Sequence, residues 1–288
     1  MTSTEGMLQD QVAIVTGGGG GIGRAIALAF AGAGADVVIA DISPERCEET
    51  AERVRELGRS ALQVPTDVMD ADAVRAMVEQ ADKHFGRIDI LVNNAGGVSN
   101  RPFIEQSERS WRRLIDFNFV SMLAATSAAA PIMIRGGRGG AIVNVSSIEG
   151  SRAAPNYAVY AACKAAMNNF TRTMALELAD HGIRVNAIAP DNTDTPGTRG
   201  VFTGPIDQPR KFAQSADQIE STLRRLPLGR VGVDTECGDA ALFLASQMSR
   251  YITGVILPVD GGAWASSGWL RNRWTGRWAL TDGKPEGD

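Results

Sequence analysis

The sequence has little of what many catalytic and binding sites require. Its 288 residues include only three cysteines and two histidines. Cys47, Cys163 and Cys237 are far apart in the chain, so their spacing predicts neither a disulfide framework nor a metal site. His84 and His181 are also isolated, which argues against a zinc site or a histidine-based catalytic triad. We therefore expect reduced thiols, a cytoplasmic protein and no bound metal.

Long apolar runs and an excess of positive charge are also missing. No stretch of about 18 consecutive apolar residues occurs, and the polar N-terminus lacks the hydrophobic segment of a secretory signal. The net charge is −4 and the isoelectric point is about 5.4. These features predict no membrane span and no nucleic-acid partner. The composition, 44% hydrophobic and 22% charged, is typical of a globular chain with one sizeable core.

Lysine is scarce, and one of the few lysines completes a motif. Lys164 follows Tyr160 by four residues, so on a helix the two side chains project from one face, a turn apart. A phenol has a pKa near ~10, and a fixed ammonium group beside it would lower that pKa. We interpret the pair as a proton-transfer centre for alcohol or ketone chemistry, aided by a further positive charge. Taken alone, the spacing also fits a packed tyrosine and a solvated lysine.

Glycines cluster near the N-terminus. Residues 11–15 form an apolar, β-branched run typical of a buried strand, and a helix of small residues follows the glycines. A strand, a glycine turn and a helix can cradle a phosphate, because glycine admits a close approach and the helix N-terminus supplies N–H groups. Two registers fit this motif: Gly18, Gly20 and Gly23, or Gly17, Gly21 and Gly23.

An acidic residue ends the next predicted strand. Asp41 comes 18 residues after Gly23, close to the ~20 expected for a carboxylate that accepts a hydrogen bond from a cofactor ribose. Such a carboxylate would repel the 2′-phosphate of NADP. The next residue, Ile42, is not a cation, and Gly18 also offers no basic side chain. These residues favour NAD over NADP, although Asp41 could instead start a turn before Pro44.

Strands and helices alternate along the chain. This order predicts an α/β fold, a Rossmann-type doubly wound parallel sheet with helices on both faces, in a single domain. We expect an N-terminal tail over 1–10, the domain over 11–265 and a C-terminal extension over 266–288, disordered from residue 282 onward. Within the domain, the polar segment 197–225 is predicted to be a flexible substrate lid with one short helix.

Several motifs then occur in a fixed order. They are Thr16-Gly17 with Gly21-Ile22-Gly23, Asp67, Asn93-Asn94-Ala95-Gly96, Ser147, and Tyr160 with Lys164. Together they resemble the short-chain dehydrogenase/reductase family, in its single-domain, NAD-preferring branch. The resemblance covers about residues 11–265. It implies the catalytic residues Asn118, Ser147, Tyr160 and Lys164, and a cofactor site of Gly17, Gly21, Ile22, Gly23, Asp41, Asp67, Val68, Asn94, Ala95, Gly96, Tyr160, Lys164, Pro190, Thr193 and Thr195.

The resemblance also implies a reaction. The expected enzyme is an NAD-dependent oxidoreductase that interconverts a secondary alcohol and its ketone. Tyr160 would take the hydroxyl proton and Ser147 would hold the substrate oxygen. Lys164 would lower the pKa of Tyr160 and bind the nicotinamide ribose, and Asn118 would hold a water in a proton relay from Lys164. Two alternatives remain open, an NADPH-dependent reductase of 3-oxoacyl groups and a non-catalytic nucleotide-binding scaffold.

The substrate side is less well defined. Candidates by position are Val98, Ser99, Ser147, Ile148, Glu149, Asn192 and Trp264. Apolar walls would suit a cyclic, terpenoid or steroid-like alcohol, whereas Glu149 and Asn192 would suit a sugar or polyol. The family usually has glycine after Pro190, but this chain has Asp191, which matters if that backbone needs a positive φ.

The family resemblance further implies a homo-oligomer, a tetramer or a dimer. The contacts are expected through helices around residues 103–135 and 155–179. The extension carries Trp269, Trp274 and Trp278 among arginines. We interpret these tryptophans as an oligomer contact or a pocket cover rather than as a nucleic-acid site.

Overall fold

Seven parallel strands form the central sheet, and the computed structural model describes residues 4–201 and 214–284. The strands in the described residues are β1 (Val12–Thr16), β2 (Asp36–Asp41), β3 (Ala61–Pro65), β4 (Ile90–Asn93), β5 (Gly140–Val145), β6 (Ile183–Pro190), β7 (Thr193–Asp194), β8 (Gly232–Val233), β9 (Ile256–Val259), β10 (Leu270–Arg271) and β11 (Trp278–Ala279). The sheet order is β3-β2-β1-β4-β5-β6-β9. The order reverses between β1 and β4, and such a switch point opens a crevice at the carboxyl ends of the strands.

Helices cover both faces of this sheet. They are α1 (Gly21–Gly32), α2 (Pro44–Glu56), α3 (Ala71–Phe85), α4 (Glu108–Ile115), α5 (Ser121–Gly136), α6 (Ala158–Glu177), α7 (Ala216–Arg225), α8 (Asp234–Ala245) and α9 (Ala263–Ser266). All five residues of β1 are buried. Ala13 and Val15 point into one apolar cluster, and Val12 and Ile14 into the other, because successive side chains of a strand alternate between faces. The predicted doubly wound parallel sheet is confirmed.

One long helix lies within this core. α4, a π-helical turn (Asp116–Val120) and α5 run on continuously as Glu108–Gly136. By length and composition alone, this helix could cross a membrane, but half of its most apolar window is buried inside the protein. Ala129 and Met133, for example, pack in the core cluster with Val185 of β6. Since core helices of soluble proteins pass the same test, the composition is weak evidence for a span.

The two ends of the chain are more ordered than expected. Leu8, in the predicted tail, is fully buried, and its N–H donates to Ala33 O over 2.9 Å. In the extension, β10 and β11 form an antiparallel hairpin. The carboxylate of Asp282 accepts from Arg224 Nη1 over 2.7 Å and from the Arg273 N–H over 3.0 Å. The prediction of disorder from residue 282 onward is therefore wrong for Asp282, and residues 285–288 lie outside the described part.

The predicted lid is partly outside the described residues, which omit 202–213. Its predicted short helix is present as α7, which begins after a capping box formed by Ser215 and Gln218. Arg224 of α7 also donates to Arg271 O over 3.2 Å. The extension therefore packs on α7.

Candidate active site

The ends of β1 and β4 are joined by side-chain hydrogen bonds. Thr16 Oγ1 donates to Val92 O over 3.2 Å and accepts the N–H groups of Asn94 and Ala95 over 3.0 and 3.2 Å. Asn94 Nδ2 donates to Thr16 O over 2.9 Å and to Gly17 O over 3.2 Å. The glycine loop and the segment after β4 consequently lie side by side at the switch point.

The loop between β1 and α1 distinguishes the two glycine registers. Gly17 and Gly21 have φ of 65° and 52°, in the left-handed region that glycine adopts without strain. A Cβ on Gly23 would lie 2.1 Å from Gly17 O. Gly20, in contrast, has an extended backbone with φ of −167°. The structure therefore favours the register of Gly17, Gly21 and Gly23.

The same loop fits the diphosphate of a dinucleotide. Gly20, the N-cap of α1, has no side chain to cap the helix, and the first turn contains no acidic residue. Uncapped N–H groups and the positive end of the helix dipole favour an anion at this position. Thr195 borders the loop, since its Cβ lies 3.2 Å from where a Cβ on Gly21 would be.

Asp41 ends β2 beside this loop, as predicted. Its Oδ2 accepts the Gly19 N–H over 3.1 Å, and its Oδ1 accepts the Ser43 N–H over 3.1 Å. Carboxylate oxygens have further lone pairs, so a ribose hydroxyl could donate to Asp41 as well. Ile42 projects outward with 68% of its surface exposed.

A cation that the sequence analysis missed borders the same position. The Cβ of Arg46, on α2, lies 2.8 Å from where a Cβ on Gly19 would be. Arg46 Nη2 donates to Val201 O over 3.2 Å. Arg46 is neither of the two positions, Ile42 and Gly18, at which a cation was sought in the sequence. The turn and helix that follow β2 bring Arg46 back toward the loop.

Other predicted cofactor residues follow β3, begin α1 or lie in β7. Thr66 N–H donates to Asp41 O over 2.8 Å, which places Asp67 and the buried Val68 next to the end of β2. Ile22 packs against one apolar cluster. Thr193 is buried in β7, and its Oγ1 donates to Asp191 O over 3.3 Å.

Tyr160 and Lys164 lie on successive turns at the start of α6. Lys164 is only 3% exposed, and its Nζ donates to Val145 O over 2.8 Å. The ammonium lies 5.6 Å from the centroid of the Tyr160 ring, and 3.6 Å from where a Cβ on Gly96 would be. Burial lowers the pKa of Lys164 to about 8. The predicted pair is therefore present and adjoins the cofactor edge.

Burial has the largest effect on the pKa of Tyr160. Burial raises it to about 12, a hydrogen bond with Ser147 lowers it, and the charges of Glu149 and Asp191 raise it. Burial raises the pKa because removing a phenolate from water disfavours the charged form. The lowering of this pKa by Lys164, aided by a charged cofactor ring, stays a prediction.

Ser147 is held by two backbone groups. Its Oγ accepts the Glu149 N–H over 3.2 Å and donates to Pro190 O over 3.4 Å. The neighbouring Ser146 instead donates to Asn168 Oδ1 over 2.6 Å in the interior. The structure therefore places Ser147 beside Tyr160 and gives Ser146 a structural role.

Asn118 is fully buried in the π-helical turn. Its Oδ1 accepts the Gly97 N–H over 3.0 Å, and its Nδ2 donates to Gly97 O and Leu114 O, each over 2.9 Å. The amide thus ties the segment after β4 to the helix. Its role in a water relay stays a prediction.

The substrate candidates divide into three groups. Ile148 is only 1% exposed and packs in a small apolar cluster, so it does not line an open pocket. Val98 and Trp264 are 60% and 44% exposed. Glu149 pairs with Arg152 over 2.8 Å, and Arg152 also lies 3.7 Å from Asp191. Sequence reasoning missed Arg152, although an arginine three residues after Glu149 on a helical turn could have indicated it.

Asp191 does not have the conformation that glycine would require. In the described residues, the non-glycine positions with positive φ are Asp10, Asn156 and Ser267. The replacement of the family's usual glycine therefore leaves this backbone unstrained, and its consequence is electrostatic.

An apolar groove lies elsewhere on α6. It has a volume of about 460 Å³ and is lined by Phe103, Trp111, Ile115, Phe119, Ala158, Val159, Ala162, Cys163 and Ala166. These residues belong to the helices through which oligomerisation is expected. The groove contains neither Ser147 nor Tyr160, so we do not assign it to the reaction.

Comparisons with known proteins cover most of the chain. The family model described as Enoyl-(Acyl carrier protein) reductase matches residues 17–263. A 3-oxoacyl-(acyl-carrier-protein) reductase of Thermotoga maritima is 38% identical over 88% of this chain and 98% of its own length. The cis-4-hydroxycyclohexanecarboxylate dehydrogenase of Sinomonas cyclohexanicum is 39% identical over 88% and 96%.

Solved structures also match most of this chain. A 7α-hydroxysteroid dehydrogenase complexed with NADH and 7-oxo-glycochenodeoxycholic acid superposes with a TM-score of 0.81, at 33% identity over 91% of this chain and 98% of that one. A carveol dehydrogenase of Mycobacterium avium in complex with NAD has a TM-score of 0.80, at 33% identity over 90% and 99%. These proteins share the fold of this chain but differ in substrate.

Proposed function

The chain belongs to the short-chain dehydrogenase/reductase family of oxidoreductases, and on that premise we propose that it interconverts a secondary alcohol and its ketone with NAD. The observation that carries this proposal is the placement of Ser147 beside Tyr160, with the Lys164 ammonium 5.6 Å from the centroid of the Tyr160 ring, one turn along α6. A hydroxyl, a phenol and an ammonium group at one strand edge can orient a substrate oxygen and move its proton.

Each side chain has a role in this chemistry. In the oxidative direction Ser147 Oγ orients the substrate oxygen, and the Tyr160 phenolate takes the hydroxyl proton. Bound NAD supplies the hydride acceptor for the carbon-bound hydrogen, and its positively charged ring favours the phenolate. Lys164 adds a second positive charge at the edge next to Gly96. In the reductive direction Tyr160 returns the proton to the oxygen.

NAD is proposed over NADP because of Asp41. Its carboxylate lies at the glycine loop, where a ribose hydroxyl would be accepted and a 2′-phosphate repelled. The same edge carries Arg46, and this observation favours a second candidate, an NADPH-dependent reductase of 3-oxoacyl groups. The Thermotoga maritima relative is named as a reductase of that kind of substrate.

The test compares both cofactors across one set of substrates. The purified protein is assayed with NAD and NADP against cyclic, steroidal, sugar and hydroxyacyl secondary alcohols, by absorbance of the reduced cofactor. We expect turnover with NAD, and a lower ratio of kcat/KM for NAD over NADP in Asp41→Ser. Arg46→Ala should change that ratio little. Turnover with NADP alone, lost in Arg46→Ala, would make the second candidate the better one.

The role of Tyr160 has a matched control in the same chain. Tyr160→Phe removes only the phenol oxygen, and turnover should fall about a thousandfold if proton transfer depends on it. Tyr157→Phe, at the residue before α6, should leave turnover near normal. Near-normal turnover in Tyr160→Phe would show that Tyr160 is not the proton acceptor.

We also propose a homo-oligomer, a tetramer or a dimer, acting on a small molecule in the cytoplasm. The apolar groove between α4 and α6 supports an oligomer, because an unpaired groove of this kind is typical of a helix contact. Light scattering during size exclusion would measure the mass. A single peak at the monomer mass would contradict the proposal.

A further inference from the structure

The Ser147 hydroxyl is oriented by two separate backbone segments. One is the 3-10 turn after β5 (Ile148–Gly150), which supplies the Glu149 N–H. The other is the end of β6, which supplies Pro190 O. The position of the Ser147 oxygen therefore depends on the separation between these segments.

Arg152 spans that separation. Its Nη2 donates to Glu149 Oε1 over 2.8 Å, and its Nε donates to Glu149 Oε2 over 3.3 Å. The same Nη2 lies 3.7 Å from Asp191 Oδ1. Glu149 supplies one N–H to Ser147, and Asp191 directly follows Pro190, so the guanidinium joins the two segments that hold the hydroxyl. The two carboxylates are partly buried, since the side chains of Asp191 and Glu149 are 13% and 22% exposed, whereas that of Arg152 is 36% exposed. Water therefore screens the two carboxylates less than charges at the surface.

The same charges face Tyr160. Glu149 lies in the 3-10 turn and Asp191 directly follows β6, and the charges of both raise the pKa of Tyr160. Lys164 faces it from the next turn of α6. Asp260, which follows β9, acts on Arg152 and Asp191. Arg152 is thus the cation that offsets the carboxylates on this side of the phenol.

We propose that Arg152 is a positioning residue for the reaction: it holds together the two segments that orient Ser147. Its charge also balances Glu149 and Asp191, and so limits how strongly they oppose proton release by Tyr160. This inference rests on the proposed function. It adds that Asp191, which replaces the usual glycine, makes proton transfer sensitive to an ion pair that the catalytic motif does not contain.

The first test is the pH profile of kcat/KM for alcohol oxidation. Arg152→Gln leaves the two carboxylates unbalanced and should move the rising limb to higher pH, by about half a unit or more. Asp191→Asn removes one carboxylate and should move it to lower pH. The double variant should return toward the wild-type profile. A purely structural role would lower kcat in both single variants and leave the limb in place.

Charge and geometry are separated by Arg152→Lys. Lysine keeps the positive charge but cannot bridge two carboxylates with a planar fork. The rising limb should stay within about a quarter of a unit of wild type, while kcat falls about tenfold because Ser147 is held less well. A shift of the limb equal to that of Arg152→Gln would overturn the charge part of the proposal, and an unchanged kcat would overturn the positioning part.

The second test does not depend on turnover. The chain has three tyrosines, so a Tyr157→Phe and Tyr251→Phe background leaves Tyr160 alone. With 3-fluorotyrosine incorporated, the ionisation of Tyr160 is followed by fluorine NMR, without cofactor or substrate. We expect its pKa to rise in Arg152→Gln and fall in Asp191→Asn. Shifts of the same sign, or none, would overturn the charge part of the proposal.

A matched arginine provides the control. Arg135 of α5 also joins two elements, donating to both carboxylate oxygens of Asp82 of α3 over 2.9 and 2.7 Å. Arg135→Gln should leave the fluorine titration and the pH profile unchanged. If no alcohol is turned over but the opposite fluorine shifts occur, the proposed function fails and the charge coupling stands. If an alcohol is turned over but the opposite fluorine shifts do not occur, the proposed function stands and the charge coupling fails.

Discussion

The two halves of the candidate site differ in the groups that shape them, backbone in one and charged side chains in the other. The cofactor half consists of the glycine loop, Asp41 and the segment after β4, where backbone groups and small residues set the shape. The proposed substrate half consists of Ser147 and the charged side chains around Arg152. A site shaped by backbone tolerates no added atoms, whereas a site shaped by charge responds to pH and salt. The four predictions below test this contrast, from the largest effect to the smallest.

The largest effect is expected at Gly23, in the cofactor half. In Gly23→Ala the new Cβ would lie 2.1 Å from Gly17 O, so the loop must shift. We expect the affinity for NADH to fall at least about a hundredfold and the free energy of unfolding to fall by about 3 kcal/mol. Titration calorimetry and denaturant unfolding measure both.

Gly32→Ala is the control on the same helix, because nothing lies within 4 Å of its added Cβ. It should bind NADH normally and be equally or slightly more stable, since alanine favours a helix over glycine. Equal behaviour of the two variants would show that the loop is more plastic than its packing indicates.

The second prediction concerns Lys164, where the two halves meet. Its pKa is lowered from 10.5 to about 8 in the folded protein, so between those pH values the unfolded chain binds more protons and stability rises with pH. The stability advantage of Lys164→Met over wild type should be largest at pH 7 and should shrink by up to about 3 kcal/mol toward pH 10.

Urea unfolding at several pH values measures the difference in free energy of unfolding between each variant and wild type. Lys83→Met, at an exposed position of α3, is the control and should show a difference that does not change with pH. If the difference in stability between Lys164→Met and wild type also does not change with pH, burial does not disfavour the charged form of Lys164.

The third prediction concerns the boundary between β4 and β5. Asn93 Nδ2 donates to Asn144 Oδ1 over 2.8 Å, and Asn144 Nδ2 donates to Thr171 Oγ1 of α6 over 2.8 Å. Asn144→Ala leaves buried partners unsatisfied and should lower the free energy of unfolding by about 2 kcal/mol. Asn169→Ala, on the exposed side of α6, should leave it nearly unchanged. If Asn144→Ala lowers the free energy of unfolding no more than Asn169→Ala does, this network does not stabilise α6.

The smallest effect is expected at Asp282, where the C-terminal extension meets α7. Its pKa is lowered by hydrogen bonds with the Arg273 N–H and with Arg224, so the carboxylate is charged when it contacts α7. Asp282→Asn should speed hydrogen exchange in residues 270–279 and in α7, with little change in melting temperature. Glu108→Gln, which breaks an exposed pair with Arg112, should not. Unchanged exchange in both would mean that other contacts hold the extension.

Particular residues show how far the sequence could be interpreted. The glycine loop, Asp41 and the Tyr160–Lys164 pair lie where the motifs predicted, because each motif is local or follows the alternation of strands and helices. The register of the glycines became clear only from the backbone angles of Gly17 and Gly21. The rise in the pKa of Tyr160 on burial could not be predicted from a spacing of four residues.

The sequence by itself determined the fold class and the family, because these depend on periodic burial and on short motifs within single elements. It also predicted the residues that we propose for proton transfer. Only the tertiary structure decided which charges meet. Arg46 reaches the loop through the path of α2, and Asp282 meets α7 across the hairpin. Arg152 lies between Glu149 and Asp191 because two distant strands end side by side. Coulomb interactions depend on distance in space and on burial, and neither can be obtained from the order of residues alone.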